Sequence, residues 1–151
     1  MRFATPLFLA ALLTSGVIHA ADVNVETGLV DQKRPKKDDL VAPKKDDGLT
    51  TVGLRDTLKG KVAKGEKRNV YFVINPLGKG NAPSDWWVQN EVTRDGDAIS
   101  CDAQFGEEDE GAGEYFAIVA IATDKKWSVG DKLDTLPEDA TFSKVKIVKR
   151  K

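Results

Sequence analysis

The chain predicts an all-β fold, an antiparallel two-sheet sandwich of about seven strands. Three observations predict it. From Leu49 onward, short runs rich in β-branched and aromatic residues alternate with clusters of Gly, Pro, Asn and Asp. Within "AISCDAQFG", Ile99, Cys101, Ala103 and Phe105 fall on one face, while Ser100, Asp102 and Gln104 fall on the other. No stretch after Leu49 carries the longer apolar period and caps of an amphipathic helix.

The candidate strands are Leu49–Val52, Thr57–Val62, Asn69–Asn75, Asp85–Val92, Ala98–Gly106, Tyr115–Thr123 and Thr141–Lys149. The first two are short β-rich runs that end at turn residues. "NVYFVIN" is stopped by Pro76. "DWWVQNEV" leads into "RDGD", where Asp95-Gly96 signals a hairpin to the next strand. "YFAIVAIA" is apolar on both faces, as a central strand must be. The last strand is sparser. Val145 and Ile147 are expected to face inward and Lys144, Lys146 and Lys149 outward, as on a charged edge. The same strand count also fits a small closed β-barrel, which is the alternative architecture.

"NVYFVINPL", "DWWVQNEVTRDGD" and "GEYFAIVAIAT" together resemble the small immunoglobulin-like or fibronectin type III-like domains of secreted bacterial proteins. The resemblance implies a β-sandwich that serves as a scaffold or binding module. The disulfide of antibody-like members cannot form, because Cys101 is the only cysteine. Its apolar company on the strand predicts a buried, unreactive thiol.

The N-terminus reads as a secretory signal peptide over residues 1–20. Arg2 is the positive end, Leu7 to Ile18 the apolar stretch, and Ala20-Ala21 the cleavage site. Periplasmic or secreted localisation follows, with no membrane span in the mature chain. An uncleaved N-terminal anchor is the other reading. Residues 21–48 hold a repeated "PKKDD", at Pro35–Asp39 and again at Pro43–Asp47. Mixed charge and scarce apolar residues predict a disordered linker there, with the ordered domain spanning 49–151.

Twenty-three basic and 24 acidic residues nearly cancel, which gives no reason to expect a nucleic-acid partner. Cleavage removes His19, the only histidine, and with it His-based nucleophilic catalysis and His-based metal sites. There is no P-loop, nor a GxGxxG between strand and helix. The chain is therefore expected not to be an enzyme.

Binding is the remaining class. Strand alternation places Trp86 in the sandwich core with Val88 and Val92, and Trp87 on the outer, polar face with Gln89 and Glu91. Tyr71, on a neighbouring strand, is a candidate extension of that surface. An indole beside amide and carboxylate groups can stack on a sugar ring while they hold its hydroxyls. The other reading is that loop 75–84 or the linker covers Trp87. In the acidic loop, Glu107, Glu108, Asp109 and Glu110 can offer oxygen ligands to Ca²⁺, without EF-hand spacing; a solvated loop is the alternative. No other cofactor is expected. The expected function is a non-catalytic extracytoplasmic binding or adhesion module whose partner is a polysaccharide or an envelope protein. The alternative is a structural protein–protein domain of an envelope assembly.

Overall fold

The computed structural model describes residues 23–78 and 84–151. The predicted signal peptide lies outside the described residues, as does the 79–83 part of the loop expected over Trp87. The strands are β1 (Asn24–Val30), β2 (Thr50–Val52), β3 (Arg55–Val62), β4 (Asn69–Gly78), β5 (Trp86–Val88) and β6 (Thr93–Asp95). They continue with β7 (Ala98–Gln104), β8 (Tyr115–Thr123), β9 (Lys132–Leu133), β10 (Thr141–Phe142) and β11 (Lys146–Arg150). One sheet has the order β1-β3-β7-β6; the other runs β2-β11-β8-β4-β5-β9, with β10 also on β8. Among the described residues there is no α-helix, only a 3₁₀ turn at Lys37–Asp39, and neither sheet closes into a barrel.

The all-β, two-sheet architecture agrees with the sequence; the purely antiparallel pairing and the strand count do not. β1 runs parallel to β3, and β2 parallel to β11. The predicted last strand is split. Phe142 pairs with Ile121 and Lys146 with Ile118, so one side has an extra residue. Ser143 bridges the bulge: its Oγ accepts the Ala120 N–H at 2.9 Å, and its own N–H donates to the Ala120 carbonyl at 2.9 Å. Nor is this strand an edge, because β2 covers its far side. Val148 enters the core between the sheets, whereas Val145 and Ile147 pack partly on the opposite face. β5 stops at Val88 because the chain then leaves for the other sheet. The hairpin forms as predicted: Asp95 pairs with Ala98 around Gly96, which adopts φ +59°.

β8 organises the packing. Its residues from Phe116 to Thr123 are all buried. Phe116, Ile118, Ala120 and Ala122 join Phe72 and Ile74 of β4 and meet Leu58, Ile99, Cys101, Ala103 and Phe105 from the four-stranded sheet. Ala117, Val119 and Ile121 face the other way, into a second core with Val73, Trp86, Leu136 and Phe142. The protein thus has two apolar layers, one on each face of the larger sheet.

The second layer is closed partly by the segment expected to be disordered. Residues 24–30 form β1, with Val25 and Val30 buried between the sheets. Gly60 lets β1 approach closely, since a Cβ there would lie 2.9 Å from Thr27 Oγ1. Gln32 then bridges to Phe142 with two backbone hydrogen bonds of 2.7 and 2.9 Å. Leu40, 8% exposed, packs into the second core. The two PKKDD copies do different work. Asp39 of the first accepts the Lys36 N–H at 2.7 Å and closes the 3₁₀ turn. Asp46 of the second accepts from Lys149 Nζ at 2.5 Å and from the Tyr115 hydroxyl at 2.7 Å. Those two donors hold the Asp46 carboxyl below the usual carboxylate range, Lys149 most strongly. The linker expectation fails because average composition hides "VNVETGLV" and single apolar anchors such as Leu40.

A second clasp joins the turn before β4 to β10. Arg68 donates to both Glu66 oxygens, at 2.9 and 2.6 Å, and to Thr141 Oγ1 at 2.7 Å. This bidentate pairing pushes the Glu66 carboxyl down from 4.5 to about 2.

Two outcomes are expected. Leu40→Ala should lower the unfolding free energy by about 2–3 kcal/mol, measured by urea denaturation, because it opens the second core. A neutral Leu40→Ala would show that the segment between β1 and β2, the strap, does not cover that core. For Glu66, the folded pKa is depressed, so its stabilisation is complete above the ordinary 4.5 and drains away as pH falls toward about 2. The acid loss of stability over that window should be shallower in Glu66→Gln, read from melting temperature against pH.

Candidate functional site

The two sheets differ in width, and the site lies where the smaller one stops. β6 pairs only with residues 98–100 of β7, so beyond Ser100 that edge of β7 has no strand neighbour among the described residues. The crossover after β5 supplies side chains in place of a strand. Gln89 Oε1 accepts the Gln104 N–H at 3.0 Å, and Asn90 Nδ2 donates to the Asp102 carbonyl at 2.9 Å. These amides satisfy ladder groups that would otherwise face the gap. The Gln89 N–H also donates to the Phe72 carbonyl at 2.9 Å, which anchors the crossover to β4.

Between this crossover and the overhanging margin of the larger sheet lies a cleft of about 390 Å³, open to solvent among the described residues. Trp87, Ile74 and Phe116 provide its apolar walls, and Gln89, Asn90, Gln104 and Glu107 its polar groups. Trp87 pairs across the strands with Ile74 on one side and Lys132 on the other. It is 40% exposed. Lys132 Nζ sits 6.0 Å from the indole centroid and is held by Asp85 at 2.8 Å.

Trp86 is 5% exposed and Trp87 is accessible, but their faces are the reverse of the expected ones. Trp86 enters the second core on the outer face of the larger sheet. Trp87 shares the sheet–sheet side with Ile74, at its open margin. The reason is that the outer face is roofed by Leu40 and by apolar residues between 133 and 147, while on the other face β6 pairs with β7 only as far as Ser100 and leaves a cleft beside Trp87. No period of two reveals which face of a sheet will be roofed.

The four residues expected to form one surface divide between two clefts. Trp87 and Gln89 line the first. Tyr71 and Glu91 line a neighbouring one, together with Trp127, and Gln89 borders both. Tyr71 packs against Trp127 with ring centroids 5.0 Å apart and planes tilted by 48°, and its hydroxyl accepts the Trp127 backbone N–H at 3.0 Å. Gln104, Asn90 and Trp127 escape sequence reasoning. Gln104 carries only an outward position in an alternating strand, and the other two lie in segments that read as loops.

The acidic loop is built around a cation of the protein's own. Arg150, 7% exposed, donates through Nη1 to the carbonyls of Phe105 at 3.0 Å, Glu107 at 2.6 Å and Glu110, and through Nη2 to that of Glu108 at 3.4 Å. Gly106 is needed here: its φ is +80°, and a Cβ would lie 2.7 Å from the Glu110 carbonyl. The carboxylates of Glu107, Glu108, Asp109 and Glu110 belong to exposed residues. Among the described residues, no three acidic, Cys or His groups converge as a metal site. The inward carbonyls of the loop are bound to the guanidinium. Cys101 is buried, and desolvation pushes its thiol up to about 12, which keeps it protonated and unreactive at neutral pH.

The chain matches no protein-family model, no curated protein and no solved structure.

Arg150→Ala should cost on the order of 2 kcal/mol in denaturant unfolding, because it strands several carbonyls, and should expose residues 106–113 to limited proteolysis. Unchanged stability together with an uncleaved loop would mean that the loop is ordered by its own turns.

Proposed function

We propose that this chain is a non-catalytic extracytoplasmic binding module, immunoglobulin-like in build, that holds a neutral saccharide against Trp87. The observation that carries the reading is the accessible indole set among amides in a cleft. The polar groups there favour a hydroxyl-bearing ligand. One amide N–H of Gln104 is committed to the Gly106 carbonyl at 3.0 Å, and one of Asn90 to Asp102. Their side-chain oxygens, with the Glu107 carboxylate, offer acceptors for hydroxyl donors. The adjacent carboxylates disfavour an anionic ligand.

The immunoglobulin-like reading draws support from strand order. Taking β1, β3, β7 and β6 as strands A, B, E and D, and β11, β8, β4 and β5 as G, F, C and C′, the neighbours follow the order of that fold. The parallel pairing of β1 with β3 departs from it. The extracytoplasmic assignment rests on the tripartite character of residues 1–20. The absence of catalysis rests on the residue inventory, with His19 the only histidine.

A glycan screen read by tryptophan fluorescence should find a neutral saccharide that quenches emission. Trp87→Ala should abolish that response while costing far less than the about 3–5 kcal/mol expected of a buried indole such as Trp86. A Trp87→Ala variant as unstable as Trp86→Ala would assign the indole to packing. The structural, protein-binding role in an envelope assembly would then replace the saccharide reading.

A further inference from the structure

The outer face of the four-stranded sheet is bare. Leu58, Ile99 and Cys101 turn into the core, so their neighbours along β3 and β7 turn away from it. Among the described residues no element packs over them: Arg55, Lys59, Lys61, Asp95, Ala98 and Asp102 are all exposed. Leu29, 44% exposed, lies at the β1 margin of a depression of about 460 Å³ in this face. Strand register fixes the pattern there. One rung across the sheet reads Glu26, Lys59, Ser100, Thr93, and the next reads Leu29, Lys61, Ala98, Asp95. Further along, Thr57 stands opposite Asp102 and Arg55 opposite Gln104. The cations of the face thus all stand on β3, with Asp102 on β7 and the other carboxylates on the outer strands. Among the described residues none of these six charged side chains is in an ion pair. Three cations against three carboxylates leave the face neutral as a whole, so it does not select a polyion of either sign. It is complementary to itself.

We infer that this face docks on the same face of a second copy of the chain, about a two-fold axis that runs along the strands. Rotation about that axis lays β1 of one copy over β6 of the other, and β3 over β7. Lys59 and Lys61 then lie over Ser100 and Ala98 of the second copy, whose small side chains leave room for the lysine stems. The Lys61 ammonium comes beside Asp95 on the adjoining strand, and Arg55 lies over Gln104 beside Asp102. A two-fold axis across the strands would instead stack β3 on β3 and set lysine against lysine, so charge selects the first arrangement. Packed sheets lie about 10 Å apart with their strands within about 30° of alignment, a gap that facing side chains of this length fill. With β3 eight residues long and the sheet four strands wide, the contact buries about 1,000 Å² in total. That is the low end for a specific interface and makes the dimer weak and reversible. The inference is independent of the saccharide reading, since the cleft at Trp87 shares no residue with this depression.

The test is association in solution. Sedimentation equilibrium of the purified chain, from about 1 µM to about 1 mM, should show a monomer–dimer equilibrium that weakens several-fold as salt is raised. Lys61→Glu and Asp95→Lys each set like charges across the two-fold, and each should weaken dimerisation by about tenfold or more. Mixed in equal amounts, the two variants should associate again, because each supplies the charge that the other has lost. Both positions are exposed, so each variant should melt near the temperature of the unaltered chain, which separates lost association from lost folding. An unaltered chain that stays monomeric throughout the range would overturn the inference. A dimer that both single variants retain would place the contact on another surface and overturn it as well. A dimer lost in each variant and not regained on mixing would overturn the placing of β3 over β7.

Discussion

The structure depends on one constraint: β8 must be kept from water on both faces. A strand reading "YFAIVAIAT" has no polar side to offer, so it needs two roofs. The four-stranded sheet is one of them. The other is assembled from irregular chain: the strap through Leu40, and the return through Leu136 and Phe142. β4 shares the same position, pairing with β8 from Asn69 to Gly78 and sending Phe72 and Ile74 to one layer and Val73 and Leu77 to the other. These requirements draw the residues before β2 into the fold.

The clefts follow from the unequal size of those roofs. The irregular roof covers the outer face as far as β5, which is why Trp86 is buried there. On the other face β6 pairs with β7 only as far as Ser100, and Trp87 lines the open cleft beside the part of β7 left unpaired. An exposed indole at that place is a geometric remainder of two layers of different width, held in position by Ile74 on one side and Lys132 on the other.

What could be read from the residues was local. Period-two alternation located β7 and its buried face, the two-sided apolar run located β8, and Asp95-Gly96 located the hairpin. What could not be read was relational. Nothing in "DWWVQ" tells which side of its sheet will carry a second roof, so the inward indole was identified and its destination was not. Leu40 and Asp46 are single contacts in a charged stretch, and such contacts vanish in any average over the segment. The role of Arg150 was hidden for a similar reason: its partners are backbone carbonyls some forty residues away, which have no residue signature. For the candidate site, Trp87 and Gln89 were visible as a pair on one strand face. Gln104 and Trp127 come from other parts of the chain and meet them only through the fold.

The side-chain amides of Gln89 and Asn90 carry a further consequence for solubility. Had a backbone strand covered the β7 edge, it would have presented its own outer row of N–H and C=O groups, and the sheet would still have had an open margin able to recruit a neighbouring molecule. An amide side chain fills the same ladder positions but leads to no further ladder. Growth of the sheet by edge-to-edge aggregation is thereby halted along that stretch without charge, proline or a covering helix.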